Sequence, residues 1–126
     1  MIPDEIRKDV GRGGEKIAAQ FLVKKGFKII ERNYRRKWGE IDIIAEKDGV
    51  VRFVEVKAVS RENPDYRPEE LVHKSKLRKV ARTAALYMEE KRDSREFQID
   101  AVTVVMNKLT RVAHCRLLEQ VLESNL

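Results

Sequence analysis

Apolar and polar residues alternate along two neighbouring stretches near the middle of the chain, residues 39–47 and 50–57. Alternation with a period of two predicts a pair of strands, each with one buried and one exposed face. Between them, Asp48 and Gly49 form a dipeptide that favours a two-residue type I′ turn. The pattern therefore predicts a β-hairpin whose register is set by that turn.

The predicted register places charged side chains directly opposite each other. Asp42 pairs with Glu55, and Glu40 pairs with Lys57. Directly opposed residues have Cβ atoms about 4.5–5.5 Å apart, and like charges in that position destabilise a sheet. The two acids then need a shared proton, a nearby cation such as Lys57, or a bound metal ion. The alternative is an exposed hairpin with solvated acids, although exposed strands normally avoid opposed like charges.

Apolar residues at helical spacing predict two helices. The first covers residues 3–25, is expected to break near the glycines at 11, 13 and 14, and ends at Gly26, which suits a C-terminal cap. The second runs from about residue 74 to residue 91. Glu15 lies at the edge of the first buried stripe, where it either joins the acids or simply favours the helix dipole. The buried stripes consist of Ile17, Ala18, Phe21 and Leu22 in the first helix, and of Leu77, Val80, Ala81, Ala84, Tyr87 and Met88 in the second.

Three further strands are predicted, at residues 27–34, 97–105 and 111–117. Residues 60–70 are expected to form a polar loop with a helical turn near its end, and residues 118–126 a strand end or a short helix. The order is then α-β-β-β-α-β-β. This order predicts an α/β fold with a mixed four- or five-stranded sheet flanked by the two helices.

Composition narrows the class of protein. The 126 residues contain no repeat or linker and are expected to form one domain, residues 1–126. With 27 basic and 21 acidic residues, the net charge is +6, which suits a polyanionic partner such as nucleic acid. A single cysteine, Cys115, excludes an internal disulfide, and two scattered histidines do not suggest a zinc site. No membrane span or signal peptide is evident, so a cytoplasmic location is expected.

Basic residues concentrate in two places beside the predicted hairpin. Residues 35–38 form a basic turn that ends in an aromatic ring, which suits phosphate and stacking on a base. The long helix carries its basic residues in its first half and acids at its end, the reverse of the helix-dipole preference. An ordinary solvated helix face is the alternative. The candidate nucleic-acid-binding residues are Arg35, Arg36, Lys37, Trp38, Lys74, Lys76, Arg78 and Arg82.

The acids of the hairpin suit a hard divalent cation. Asp42 and Glu55, with the Val56 carbonyl and Glu15 as further oxygen donors, suit Mg²⁺ or Mn²⁺. Such an ion can lower the pKa of a bound water, and Lys57 can orient that water or offset charge in the transition state. Beside two basic surfaces, this set indicates metal-assisted phosphodiester hydrolysis. Glu40, opposite Lys57, is expected to be the ion-pair partner of that lysine, or a group that supports the metal ligands from behind, and not a metal ligand itself.

These residues also resemble a known nuclease core. Asp42, followed on the next strand by Glu55-Val56-Lys57, is similar to the PD-(D/E)xK core of the restriction-endonuclease-like fold. Glu15 resembles the extra helical acid of archaeal Holliday-junction resolvases and related nucleases. Most of the chain, from about residue 10 to residue 105, resembles the YraN-like family of uncharacterised bacterial proteins. The landmarks are Gly13-x-Glu15, Gly26-Phe27, Asn33-Tyr34-Arg35, Gly39-Glu40-Ile41-Asp42, Phe53-Val54-Glu55-Val56-Lys57, Lys76, Ala84, Tyr87 and Asp100.

The resemblance implies a restriction-endonuclease-like core with a nuclease site that uses Mg²⁺ or Mn²⁺. The implied catalytic residues are Glu15, Asp42, Glu55 and Lys57. One departure follows Lys57, where the family often has Thr-Arg and this chain has Ala58-Val59. That change removes a phosphate contact but no presumed metal ligand. Lys76 keeps its place and is expected to point from the helix start toward a substrate phosphate.

Three functions follow as hypotheses. The first is an endonuclease that hydrolyses phosphodiester bonds of DNA, including branched or structured DNA. No membrane partner is expected, and a homodimer is one option for its oligomeric state. The second is a non-catalytic nucleic-acid-binding module that retains the nuclease fold. The third is an assembly protein whose acidic cluster is a leftover. Salt-dependent binding without cleavage distinguishes the second from the first.

Overall fold

A computed structural model describes residues 4–60 and 74–122 of the chain, with side chains from Gly13 onward. The order of elements is the predicted α-β-β-β-α-β-β. The predicted loop over residues 60–70 lies almost wholly outside the described residues, and residues 119–122 form neither helix nor strand. The elements are α1 (Asp4–Lys24), β1 (Lys28–Arg36), β2 (Gly39–Lys47), β3 (Val50–Ser60), α2 (Lys74–Glu90), β4 (Phe97–Asn107) and β5 (Val112–Leu118).

The strands form one mixed five-stranded sheet in the order β1-β2-β3-β4-β5. All neighbouring strands are antiparallel except β3 and β4, which are parallel and are connected through α2. Every residue from Ile99 to Val105 is buried, so β4 does not show the alternation of exposed and buried residues that its sequence pattern predicts. A central parallel strand is covered on both faces, which explains the difference.

Each helix covers one face of the sheet with its own hydrophobic core. The core beneath α2 contains Tyr34, Phe53 and Tyr87, whose rings meet edge to face. The core beneath α1 contains Ala18 and Leu22 from the predicted stripe. Cys115 packs against this second core in a half-buried position, as its place in a strand predicts, and burial raises the pKa of its thiol.

α1 is continuous, so the predicted break near its glycines is wrong. Gly14 lies against Ala58 of β3 so closely that a Cβ at residue 14 would overlap the alanine side chain. The glycine therefore permits close packing of helix on sheet instead of interrupting the helix. The predicted cap is confirmed: Gly26 has φ +92°, and the Gly26 and Phe27 amides donate to the carbonyls of Val23 and Leu22.

The hairpin of β2 and β3 has the predicted turn and register. Asp48 and Gly49 have φ of +54° and +78°, as a type I′ turn requires. Pairing then runs from Lys47 opposite Val50 to Ile43 opposite Val54.

No helix within the described ranges is long and apolar enough to span a membrane.

A buried ion pair joins β3 to β4 at the end of the sheet near Phe27. Arg52 Nη1 lies 3.0 Å from Asp100 Oδ2, and the two side chains are only 8% and 0% exposed. Gln98 Nε2 and the Gln120 amide donate to the other carboxylate oxygen at 2.8 and 2.9 Å. Removal of the carboxylate would leave the arginine charge buried without its counter-ion, which is strongly destabilising.

We therefore expect Asp100→Asn to lower the free energy of unfolding by about 3–5 kcal/mol in urea denaturation. Glu46→Gln is the matched control, because the Arg95–Glu46 pair has the same 3.0 Å separation but side chains 44% and 28% exposed. We expect the control to cost at most about 1 kcal/mol. Equal costs for the two variants would show that the Arg52–Asp100 pair is not a structural clamp.

Candidate active site

The regular pairing of β1 with β2 is interrupted at Asn33 and Asp42. Residues on either side of them pair across the two strands, but no pair joins Asn33 to Asp42, and Asn33 has a left-handed φ of +56°. Ile41 belongs to the core beneath α2, whereas Ile43, two residues later, belongs to the core beneath α1. Strict alternation would place both on one face. Asp42 therefore lies at a local irregularity of β2.

At this irregularity, the Asp42 side chain forms a hydrogen bond with the backbone of β3. The ladder between β2 and β3 ends at Ile43 opposite Val54. Beyond it, the Val56 amide donates to Asp42 Oδ2 at 2.8 Å, so the carboxylate accepts the bond that a strand carbonyl would otherwise accept. Asp42 also interacts electrostatically with Glu55. The structure thus brings the two acids together, by a side-chain bridge and not by the predicted ladder pair.

Glu55 is a buried carboxylate with a strongly shifted proton affinity. The residue is 4% exposed. Burial raises its pKa to about 7, and the neighbouring Asp42 carboxylate adds to the rise, while Lys76 opposes it. Burial acts to lower the pKa of Lys76, but the Glu55 and Asp42 carboxylates outweigh this and raise it. Near neutral pH, the site therefore holds a carboxylate that exchanges its proton readily.

The cation that neutralises Glu55 comes from α2. Lys76 Nζ forms a salt bridge with Glu55 Oε1, although the lysine side chain is 55% exposed. A compensating cation was expected here, with Lys57 as the candidate. Lys57 is exposed and lies two residues after Glu55 on β3. Lys76 thus contacts the acid pair, and its expected contact with a substrate phosphate stays a prediction.

Glu40 does not pair with Lys57, and that prediction is wrong within the described residues. Glu40 lies opposite Arg35 in the ladder of β1 and β2, and its carboxylate is 3.7 Å from Arg35 Nε. The reason is the irregularity at Asp42. The regular pairing of β2 with β3 does not extend to the start of β2, whereas its pairing with β1 does.

Glu15 reaches the same region from α1. The close contact between Gly14 and Ala58 brings this turn of the helix down onto β3. Glu15 Oε1 is buried, accepts no hydrogen bond and lies 3.6 Å from Arg32 Nε. Burial raises the pKa of Glu15, and the Asp42 carboxylate contributes to the rise. Glu15 is therefore electrostatically coupled to the acid pair, although Arg32, a partner that sequence reasoning missed, is its nearest cation.

The donor atoms suit a hard divalent cation. Within the part of the chain that the structure describes, no group of three or more acidic, histidine or cysteine side chains is arranged to hold a metal ion. Mg²⁺ is commonly held by one or two carboxylates and several waters. Asp42 and Glu55, with the Val56 carbonyl, match that smaller requirement, and their mutual repulsion favours a cation between them.

The candidate basic residues occupy two surfaces near the acids. Along α2, the predicted basic residues are exposed, and Lys79 is exposed with them. In β1, Arg36 lies over the Tyr34 ring and is 3.3 Å from Glu90, so it is committed to contacts within the fold. Apart from Arg36, the exposed members of the two surfaces are Arg35, Lys37, Trp38, Lys74, Lys76, Arg78, Lys79 and Arg82.

Sequence reasoning missed the contact between the β1–β2 turn and α2. Thr83 is buried in α2, although it was not part of the predicted stripe. A Cβ on Gly39 would overlap Thr83 Oγ1, so the glycine allows the turn to touch the helix. Glycine at this position was the available signal, because a strand-initial glycine often marks a close approach of backbone.

Comparison with known proteins identifies the family. The model of "Uncharacterised protein family UPF0102" matches residues 14–104. A UPF0102 protein of Campylobacter fetus is 42% identical over 99 residues, which cover 79% of this chain and 86% of the relative. A UPF0102 protein of Nitratiruptor is 39% identical over 103 residues (82% and 88%), and one of Sulfurovum is 45% identical over 101 residues (79% and 87%). The chain belongs to the UPF0102 family, and the names of these relatives state no activity.

The raised pKa of Glu55 predicts that its ionisation destabilises the fold. A carboxylate with a pKa of about 7 when folded and 4.5 when unfolded contributes stability below about pH 4.5 and loses it by about pH 7. Glu55→Gln should therefore gain stability over wild type as pH rises through this window. The gain in free energy of unfolding should reach roughly 3 kcal/mol at pH 8, because each tenfold change in proton affinity corresponds to about 1.4 kcal/mol.

Urea unfolding of both proteins in metal-free buffer, at the two ends of this window, measures the difference. Glu40→Gln is the control, because that acid lies nearby but its side chain is 64% exposed. The control should show no such pH-dependent gain. A Glu55→Gln variant that is less stable than wild type at the alkaline end would contradict the prediction that ionisation of Glu55 destabilises the fold.

Proposed function

We propose that this member of the UPF0102 family is a metal-dependent endonuclease that hydrolyses phosphodiester bonds of DNA. The observation that carries the proposal is the buried Glu55 beside Asp42, in contact with Lys76 of the basic helix α2. Proteins rarely bury a carboxylate beside a second one unless the pair binds a cation or does chemistry. The order of elements and the position of the acids on β2 and β3 also support a restriction-endonuclease-like core.

Asp42, Glu55 and the Val56 carbonyl would hold the ion, Mg²⁺ or Mn²⁺. When bound, the ion would supply Lewis-acid stabilisation of charge and a water of lowered pKa. Because Lys76 neutralises Glu55 through a salt bridge, an entering ion would compete with its ammonium group for the same carboxylate oxygen. Lys76 would then be free to contact the substrate, as its largely exposed side chain permits.

The other polar groups have separate roles in the proposal. Lys57 is exposed two residues after Glu55 on β3 and would offset negative charge at the reacting phosphate. Glu15, whose pKa burial raises and whose Oε1 lacks a hydrogen bond, would accept or return a proton near the site. Arg32 would hold Glu15 in place through their contact.

DNA is the proposed substrate because the acids lie next to a basic helix that suits a polyanion. The exposed basic residues of α2 begin at Lys74 and include Lys76, the residue in contact with Glu55. A phosphate backbone that follows this helix would pass beside the acid pair. Phosphate contacts of this kind orient a nucleic acid without selecting its sequence. Branched or structured DNA is the preferred substrate class in view of the resemblance to junction resolvases.

A second function is favoured by one specific observation. Lys76 already neutralises Glu55 by a salt bridge, so the fold has a means of compensating the acid pair without an ion. A non-catalytic nucleic-acid-binding module would use the same basic surfaces and no hydrolysis. Such a module would bind DNA in a salt-dependent manner and keep that binding when Asp42 or Glu55 is replaced.

The nuclease proposal predicts metal-dependent cleavage that depends on the acids. Asp42→Asn and Glu55→Gln should abolish cleavage, and Lys57→Ala should lower its rate by roughly 100-fold or more, each without loss of folded structure by circular dichroism. The assay uses single-stranded, duplex, flap and four-way DNA with Mg²⁺ or Mn²⁺. Asp48→Asn is the control, because it changes an exposed acid of the same hairpin in a turn position that asparagine also favours.

Full activity in either acid variant would refute the proposed site. Absence of cleavage by wild type on all four substrates, together with salt-dependent binding, would favour the non-catalytic module.

A further inference from the structure

A cavity adjoins the acid pair between the β1–β2 turn and α2. Its volume is about 350 Å³, within the range of about 300–1,000 Å³ that small-molecule pockets occupy. Val80 and Thr83 of the helix line the cavity. Among the described residues, the other lining groups include Trp38, Gly39, Lys76 and Lys79.

The turn is held against the helix by a close backbone approach. Gly39 has φ +154° and leaves no room for a Cβ beside Thr83. Thr83 Oγ1 lies 2.9 Å from the Lys79 carbonyl and 3.5 Å from the Trp38 carbonyl, and its single proton can be donated to either. The cavity wall that carries Trp38 is therefore fixed by contacts within the fold and does not depend on a ligand.

The side chains that line the cavity include an aromatic ring and two lysines, which are the types of residue that bind a nucleotide. Trp38 is 43% exposed, an unusual position for the largest aromatic side chain, and it lines the cavity. Lys76 and Lys79 add two positive charges along the helical side. The lining acid, Glu40, is already paired with Arg35. An aromatic ring face and ammonium groups bind a base and its phosphate.

The cavity is also connected to the acid pair by a shared residue. Lys76 lines the cavity and forms the salt bridge with Glu55. A phosphate bound at Lys76 would lie next to the proposed hydrolytic site, and the base of the same nucleotide would enter the cavity. Bases stacked within a continuous duplex cannot present a ring face to a side chain, whereas unpaired bases can.

We propose that this cavity binds one unpaired nucleotide, with its base on Trp38 and its phosphate at Lys76 and Lys79. The inference rests on the proposed function for the reaction that follows, but not for the binding itself. The substrate is then a nucleic acid that has an unpaired or extruded nucleotide beside the cleaved phosphate. A continuous duplex lacks this feature and would bind only through the basic surface of α2.

The intrinsic fluorescence of Trp38 tests the proposal directly, because the chain contains a single tryptophan. The full-length protein is titrated in EDTA with a short thymidine oligonucleotide, an abasic oligonucleotide of equal length and charge, and a blunt duplex. We expect saturable quenching by the thymidine oligonucleotide and little by the other two. Equal quenching by the abasic oligonucleotide would overturn the proposal, because phosphate alone would then account for the signal.

Substitution of the ring gives a second, independent readout by fluorescence anisotropy of labelled oligonucleotides. Trp38→Leu should weaken binding of the thymidine oligonucleotide by about five-fold or more, the smallest loss that one stacked base implies. Binding of the duplex should stay unchanged, and Trp38→Phe should restore part of the loss. Leu109→Ala, at a position 89% exposed in the β4–β5 turn, is the control. An equal loss for both nucleic acids would overturn the proposal.

The outcomes separate this inference from the proposed reaction. Selective quenching without cleavage in Mg²⁺ or Mn²⁺ would retain the nucleotide pocket and refute the nuclease. Cleavage with non-selective quenching would retain the nuclease and refute the pocket. If the Trp38→Leu variant does not fold, the fluorescence quenching of wild type decides between the outcomes, because that measurement needs no substitution.

Discussion

The burial of Glu55 beside Asp42 is the constraint on which the site depends. Burial disfavours the charge on Glu55, and repulsion from the neighbouring Asp42 carboxylate adds to this, so that both raise the pKa of Glu55. The fold opposes the repulsion with two groups that are distant along the chain. The Val56 amide donates to Asp42, and Lys76 from α2 neutralises Glu55. Loss of Lys76 would leave the buried Glu55 carboxylate without its salt-bridge partner.

Several features of the fold serve this arrangement. The irregularity at Asn33 and Asp42 turns the Asp42 carboxylate toward β3. On one face of the sheet, Gly14 lets α1 approach closely enough to bring Glu15 within electrostatic reach. On the other face, α2 delivers the lysine that meets Glu55. The site is thus assembled from both helices and the central hairpin, and the remote Arg52–Asp100 pair fixes the other end of the central strands.

Much of this fold could be predicted from local patterns. The order of elements, the type I′ turn and the hairpin register all follow from spacing and turn chemistry, because these depend on neighbours in the sequence. The pairing of acids was foreseen for the same reason. Its geometry was not, because the local break at Asp42 replaces a ladder pair with a bond from a side chain to an amide. That break also explains why Glu40 pairs with Arg35.

The contacts that escaped prediction join residues far apart in the sequence. The Lys76–Glu55 salt bridge, the Arg32–Glu15 contact and the meeting of Gly39 with Thr83 depend on how the helices lie on the sheet. A basic helix read from sequence cannot show which of its lysines meets an acid. Similarly, a glycine in a helix can break it or permit close packing, and only the tertiary structure of α1 distinguishes the two.

The central claim is that Asp42 and Glu55 together form a divalent-cation site. Calorimetric titration of Mn²⁺ into metal-free wild type, compared with Asp42→Asn, measures this without reference to any substrate. We predict a single specific site in wild type that Asp42→Asn loses while remaining folded. Absence of specific binding to wild type, or equal binding to both proteins, would contradict it.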